Sequence, residues 1–125
     1  MSLPYGATVL EHFRHPRNQR PLDQPTAAHE GYNPLCGDRV RLEVRVEAGA
    51  IRAAAFTANA CAICTASASL LTERVTGALV ADVLALRESE VVAALDTEVP
   101  PARTACAVLP LRALRAALVG HSAPA

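Results

Sequence analysis

Lysine is absent from this chain: all twelve basic side chains are arginine. Schiff-base chemistry on an amine and a phosphate loop built around a lysine are therefore excluded. Tryptophan is missing too, and aromatic residues make up only 3% of the sequence against 51% hydrophobic residues overall. The core must be aliphatic, built from Ala, Val and Leu. Net charge is also lacking, because twelve acidic residues balance the twelve arginines. No long run of one sign offers nucleic acid or an anionic membrane a main docking surface. No apolar stretch approaches the ~20 residues of a membrane span. The opening Met1-Ser-Leu-Pro-Tyr-Gly has no charged-then-apolar export signal. A cytoplasmic setting is expected, where four cysteines point to metal or sulfur chemistry rather than disulfides.

A chain of 125 residues suits one domain, residues 1–125, that buries roughly two-thirds of its unfolded surface without a covalent staple. Ala7 to His15 reads as a short helix with Val9, Leu10 and Phe13 on one face, ended by Pro16. His12 and His15, three apart, are a formal ligand pair, although a solvated or hydrogen-bonded pair is the plainer reading. The proline-rich stretch from Arg17 is a loop with an edge strand near Thr26–Tyr32. Residues Arg39 to Glu47 alternate without a break: Val40, Leu42, Val44 and Val46 face inward, Arg39, Arg41, Glu43, Arg45 and Glu47 outward. Ala48-Gly49 forms a tight turn, and Ile51 to Thr57 returns as the partner strand. With Glu47 facing Ala50, Val40 meets Thr57. Extended without a bulge, the same register sets Cys36 opposite Cys61.

A helix from the CxxC stretch to about Thr76 is stopped by Gly77. Two short helices follow, with Ser89 as the cap between them. Val99-Pro-Pro-Ala-Arg103 reads as an extended linker. The last helix runs from Arg103 to Val119, closed by Gly120 and frayed from His121, with Pro110 an unusual interior residue. The sum is an α+β fold: a small antiparallel sheet with helices packed on one face.

Asn59-Ala-Cys61-Ala-Ile-Cys64 leads from strand into helix, and Cys106 stands in the first turn of the last helix. Both are positions where a helix dipole favours thiolate. Cys36-Gly37-Asp38 sets a carboxylate beside a thiol. Thiolates and a carboxylate together suit zinc or ferrous iron. Taken singly, each cysteine is as well explained as an inert buried thiol. A thioredoxin-like redox site lacks its βαβ context.

In combination these residues match a family. Asn33-Pro-Leu-Cys36-Gly-Asp38-Arg-Val-Arg-Leu42, then Cys61-Ala-Ile-Cys64-Thr-Ala-Ser-Ala-Ser69, then Cys106 before an apolar helix, closely resemble the U-type iron–sulfur scaffolds: IscU, SufU and the N-terminal domain of NifU. His12-Phe-Arg-His-Pro-Arg-Asn18 is similar to their first helix, and the likeness spans residues 5–119. The resemblance implies a SufE/IscU-like fold and a transient [2Fe–2S] cluster, or iron on its way to one, held by Cys36, Asp38, Cys61 and Cys106. It implies sulfur delivered as a persulfide by a cysteine desulfurase, with Cys106 the favoured acceptor, and transfer of the cluster to acceptor apo-proteins. Such a protein is a scaffold rather than an enzyme with turnover at a nucleophile. A zinc-bound sulfur acceptor of the SufU kind is the alternative, and a purely structural zinc domain a weaker third. Val99–Arg103 stands where IscU proteins carry a chaperone-binding Leu-Pro-Pro-Val-Lys. Two positions depart from the pattern: Ala105 replaces a histidine, and Cys64 is an extra thiol, read as an alternative metal ligand or sulfur relay.

Overall fold

A computed structural model describes residues 5–122. Its elements are α1 (Ala7–Arg14), β1 (Ala27–Asn33), β2 (Asp38–Glu47), β3 (Ala50–Asn59), α2 (Ala62–Val75), α3 (Val80–Leu84), α4 (Glu88–Ala94) and α5 (Thr104–Ser122), with a single 3-10 turn, Pro101–Arg103, ahead of α5. The strands form one antiparallel sheet in the order β1-β2-β3. Helices α2 and α5 lie on its inner face, and α1 packs on α2. This is the α+β architecture expected. Among the described residues no helix is long and apolar enough to cross a membrane.

The β2–β3 hairpin forms because its turn can. Ala48 and Gly49 both adopt positive φ, 52° and 77°, the twist that two-residue hairpin turns require. Glu47 pairs with Ala50 as the spacing predicts. The register then shifts between Arg45 and Val46, leaving Arg52 as the extra residue, and Val40 meets Ala58 rather than Thr57. The reason lies in the side chains. Ile51 and Phe56 are both wholly buried, yet they stand five apart, and a regular strand would send them to opposite faces. A one-residue bulge brings both inward.

Other differences have equally local causes. Glu43 lies on the expected wet face but is buried, because the loop before β1 folds over it and the Leu22 N–H donates to its carboxylate at 2.8 Å. Val99–Arg103 is not extended throughout. Pro101 opens the 3-10 turn, where its fixed φ suits a first helical position, and the Arg103 N–H bonds the Pro100 carbonyl at 2.8 Å. Helix α4 starts after Arg87 rather than Ser89, with the Glu90 carboxylate accepting the Arg87 N–H at 2.8 Å. Helix α5 contains Pro110 and runs through Gly120 to Ser122 instead of fraying at His121; residues 123–125 lie outside the described ones. Gly77, by contrast, stops α2 as expected, with φ of +89°.

The core is aliphatic around one ring: Phe56, Leu42, Ile51, Ile63, Leu111, Leu114 and Leu118 are fully buried. Helix α5 comes close to β1 at Gly31, where an added Cβ would stand 3.0 Å from Leu109 Cδ1 and 3.3 Å from Ala113 Cβ. A side chain at position 31 would have to displace Leu109 or Ala113, which lie on the same helix as Cys106.

Candidate metal centre

Four chain segments meet at one end of the sheet. Cys36 is in the turn between β1 and β2, Asp38 begins β2, Cys61 is the N-cap of α2, and Cys106 is the third residue of α5. Cys36 is therefore on a loop, not on an extension of β2 paired with Cys61. Strand β2 starts only at Asp38, opposite Asn33. The turn is shaped locally. The Gly37 N–H reaches the Asn33 carbonyl at 2.8 Å, the Asn33 side chain accepts the Leu35 N–H at 3.1 Å, and Gly37 takes a φ of +73°. These contacts hold the Cys36 thiol, which is exposed, over the buried Asp38 and Cys106.

Donor atoms of Cys36, Asp38 and Cys106 lie within 4.8 Å of one another. The Cys106 thiol donates to the Cys36 sulfur at 3.4 Å, and the Asn33 amide approaches Cys106 Sγ at 3.8 Å. Donors on a tetrahedral ion with bonds of ~2.0–2.3 Å stand roughly 3.3–3.8 Å apart, so this spacing can close on a metal with little movement. Cys61 is not in that mutually close trio, but it is joined to it through Asp38. One carboxylate oxygen accepts the Cys61 backbone N–H at 2.9 Å, and the other takes the Cys61 thiol at 3.4 Å. Asp38 thus caps α2 and binds the two halves of the site together.

The helix-start argument predicts thiolates at Cys64 and Cys106, and both go the other way. Burial pushes the Cys106 thiol up, and hydrogen bonds with Asp38 and Cys36 reinforce it. Burial likewise pushes Cys64 up, with the negative charge of Asp38 and its neighbours adding. A helix dipole contributes about 0.3–1 kcal/mol at a surface site, which burial in an apolar core readily outweighs. A bound cation would reverse this balance and deprotonate coordinating thiols.

Cys64 is wholly buried, within the apolar core and outside the close trio. His12 and His15 do not form a ligand pair. His12 is buried, its Nδ1 2.7 Å from Ser69 Oγ, whereas His15 is exposed. Ala105 is exposed. Two residues escaped the sequence reading. Asn33 builds the Cys36 turn, and the Asn-Pro pair was its signal. Arg103 is near the thiols: its pKa is raised, chiefly by Cys106 and then by Cys61 and Cys36. Its only trace in sequence is a position one helical turn before Cys106.

A small sheet with helices on one face, carrying three thiols and a carboxylate at its loop end, defines the class to which the chain should be compared. The profile of the NifU-like N terminal domain matches residues 4–123, and the chain belongs to that family. It is 32% identical to the "Iron-sulfur cluster assembly scaffold protein IscU" of Haemophilus influenzae, over 97% of this chain and 98% of that one. It is 31% identical to the protein of the same name from Thermotoga maritima, over 96% of each. Among solved structures, the "Putative iron-sulfur cluster assembly scaffold protein for SUF system" of Fervidobacterium islandicum shares the fold, with a TM-score of 0.78 over 91% of this chain and 96% of that one, at 22% identity.

Proposed function

We propose that this chain is an assembly scaffold for iron–sulfur clusters. Cys36, Asp38, Cys61 and Cys106 receive iron and sulfur, hold a [2Fe–2S] cluster and release it to acceptor apo-proteins. The observation that carries this reading is the meeting of three thiols and one carboxylate from separate segments, with Cys36 exposed and Cys61 half-buried. A buried structural zinc site has no need of an exposed thiol. Asp38 gives the set its lability, because an oxygen donor holds soft iron less firmly than a fourth thiolate would. The sulfur arrives as a persulfide from a cysteine desulfurase, and Cys106, next to Arg103, accepts it. Residues 1–125 act as one such domain in the cytoplasm, where free thiols persist, and Val99–Arg103 is the segment on which a chaperone would act.

The same donors suit zinc, so the alternative is a zinc-bound sulfur acceptor that never builds a cluster. Anaerobic reconstitution with ferrous iron, a cysteine desulfurase and cysteine separates the two. A scaffold gains visible absorption with equal iron and acid-labile sulfide. A zinc-bound acceptor keeps its zinc and stays colourless.

A further inference from the structure

Cys64 has no place in the ligand set, and its position relative to Cys61 is specific. Cys61 is the N-cap of α2 and Cys64 its third residue, so the two stand on adjacent rungs of one helical turn. Across the helical residues Ala62 and Ile63, helix geometry sets the two Cα atoms roughly 5 Å apart, and disulfides span Cα separations of about 4.4–6.8 Å. The pair stands within the Cα range that a disulfide bridges. The two thiols also differ in access: Cys61 is half-buried at the site, whereas Cys64 is closed off from solvent beneath it.

Resting on the scaffold reading, we propose that Cys64 is a resolving thiol that reduces the delivered sulfur to sulfide. A desulfurase supplies sulfur at the persulfide level, yet a cluster needs sulfide. The Cys61 thiol first takes the outer sulfur from Cys106, whose sulfur leaves with the electron pair and the Cys61 proton; with the persulfide now on Cys61, the Cys64 sulfur attacks Cys61 Sγ. The Cys61–Cys64 S–S bond forms, and the bond from Cys61 Sγ to the outer sulfur breaks. That sulfur leaves with the electron pair and takes up the Cys64 proton, so the products are one disulfide and one H2S. The thiol pair is oxidised as the outer sulfur is reduced, and no outside reductant enters until the disulfide is reset by a dithiol. The resulting disulfide also withdraws Cys61 from the ligand set, so each turnover couples sulfide release to a transiently opened site.

The test uses the reduced, metal-free full chain, loaded by a purified cysteine desulfurase and L-cysteine, then desalted away from both. Sulfide is measured with time, and disulfides and persulfides are mapped by mass spectrometry after alkylation. Wild type should release close to one sulfide per loaded persulfide and accumulate a Cys61–Cys64 disulfide. Cys64→Ser and Cys64→Ala should keep the persulfide and release sulfide at least tenfold more slowly. Ferrous iron binding by both variants is the control for folding and for the scaffold reading. Sulfide release unchanged in either variant that still binds iron, or a disulfide at Cys36–Cys106 instead, overturns the resolving role and leaves the scaffold standing. Wild type that takes neither persulfide nor iron overturns both.

Discussion

The Asp38 carboxylate serves Cys61 twice, accepting its backbone N–H at 2.9 Å and its thiol at 3.4 Å. One side chain therefore fixes the start of α2 and presents a donor to the site. The two roles can be pulled apart. Asp38→Ala should cost the metal-free protein about 1–2 kcal/mol, the loss of a cap and of a hydrogen bond to a charged group. Asp38→Asn keeps a carbonyl oxygen for the N–H and should recover most of that stability in urea unfolding. Asp38→Cys, which supplies a fourth thiolate in place of the oxygen donor, should release a bound cluster more slowly than wild type.

Arg103 is near enough to Cys106, Cys61 and Cys36 for them to raise its pKa, Cys106 most. Arg103→Ala should slow persulfide loading of the chain by a desulfurase, and Arg103→Lys should restore part of the rate, while urea unfolding stays close to wild type. Loading is read by mass spectrometry at early times. A variant that loads at the wild-type rate would remove Arg103 from the sulfur-accepting machinery.

Gly31 links the fold to the site through α5. Gly31→Val would drive side-chain atoms into Leu109 and Ala113, already 3.0 and 3.3 Å from an added Cβ. Overpacking of this kind costs about 1–3 kcal/mol. Because α5 carries Cys106, the same variant should bind ferrous iron less tightly, beyond what its lost stability explains. Titration below the denaturation range checks this.

How much of this was legible in sequence depends on the range of the interaction. The alternation of β2 and the Ala48-Gly49 turn are local, and both formed as read except at Glu43, which the loop before β1 buries. The bulge was legible as well: Ile51 and Phe56 cannot share a face in a regular strand, and a reading that followed only β2 overlooked it. Gly120 does not stop α5, since a glycine inside a helix costs only about 1 kcal/mol and the helix runs on to Ser122. Thiolate at the helix starts was inferred from the dipole alone, without the burial that only tertiary packing reveals. The bond between His12 and Ser69, 57 residues apart, left no mark in any local pattern.

Burial of His12 makes docking of α1 sensitive to pH. The folded-state pKa of His12 is lowered, chiefly by burial and then by Arg17, against the opposing pull of Glu73 and Glu11. The unfolded chain, with a histidine pKa near ~6.5, thus binds the proton more readily than the folded one. The His12 contribution to stability is full above the unfolded value and declines as pH falls from about 6.5 through the folded pKa. Denaturant midpoints between pH 7.5 and 5 should fall less steeply in His12→Gln than in wild type. Equal slopes would remove His12 as the source.

The central claim is that the four donors hold a cluster in order to give it away. It is tested most directly by mixing the anaerobically reconstituted chain with an apo-ferredoxin in the presence of a strong iron chelator. A scaffold should pass its cluster on faster than the chelator strips it, so the ferredoxin spectrum appears in near-stoichiometric yield, and Asp38→Cys should slow that transfer. Loss of the cluster to the chelator with no ferredoxin formed, or a chain that takes up zinc but never a cluster, would contradict the account.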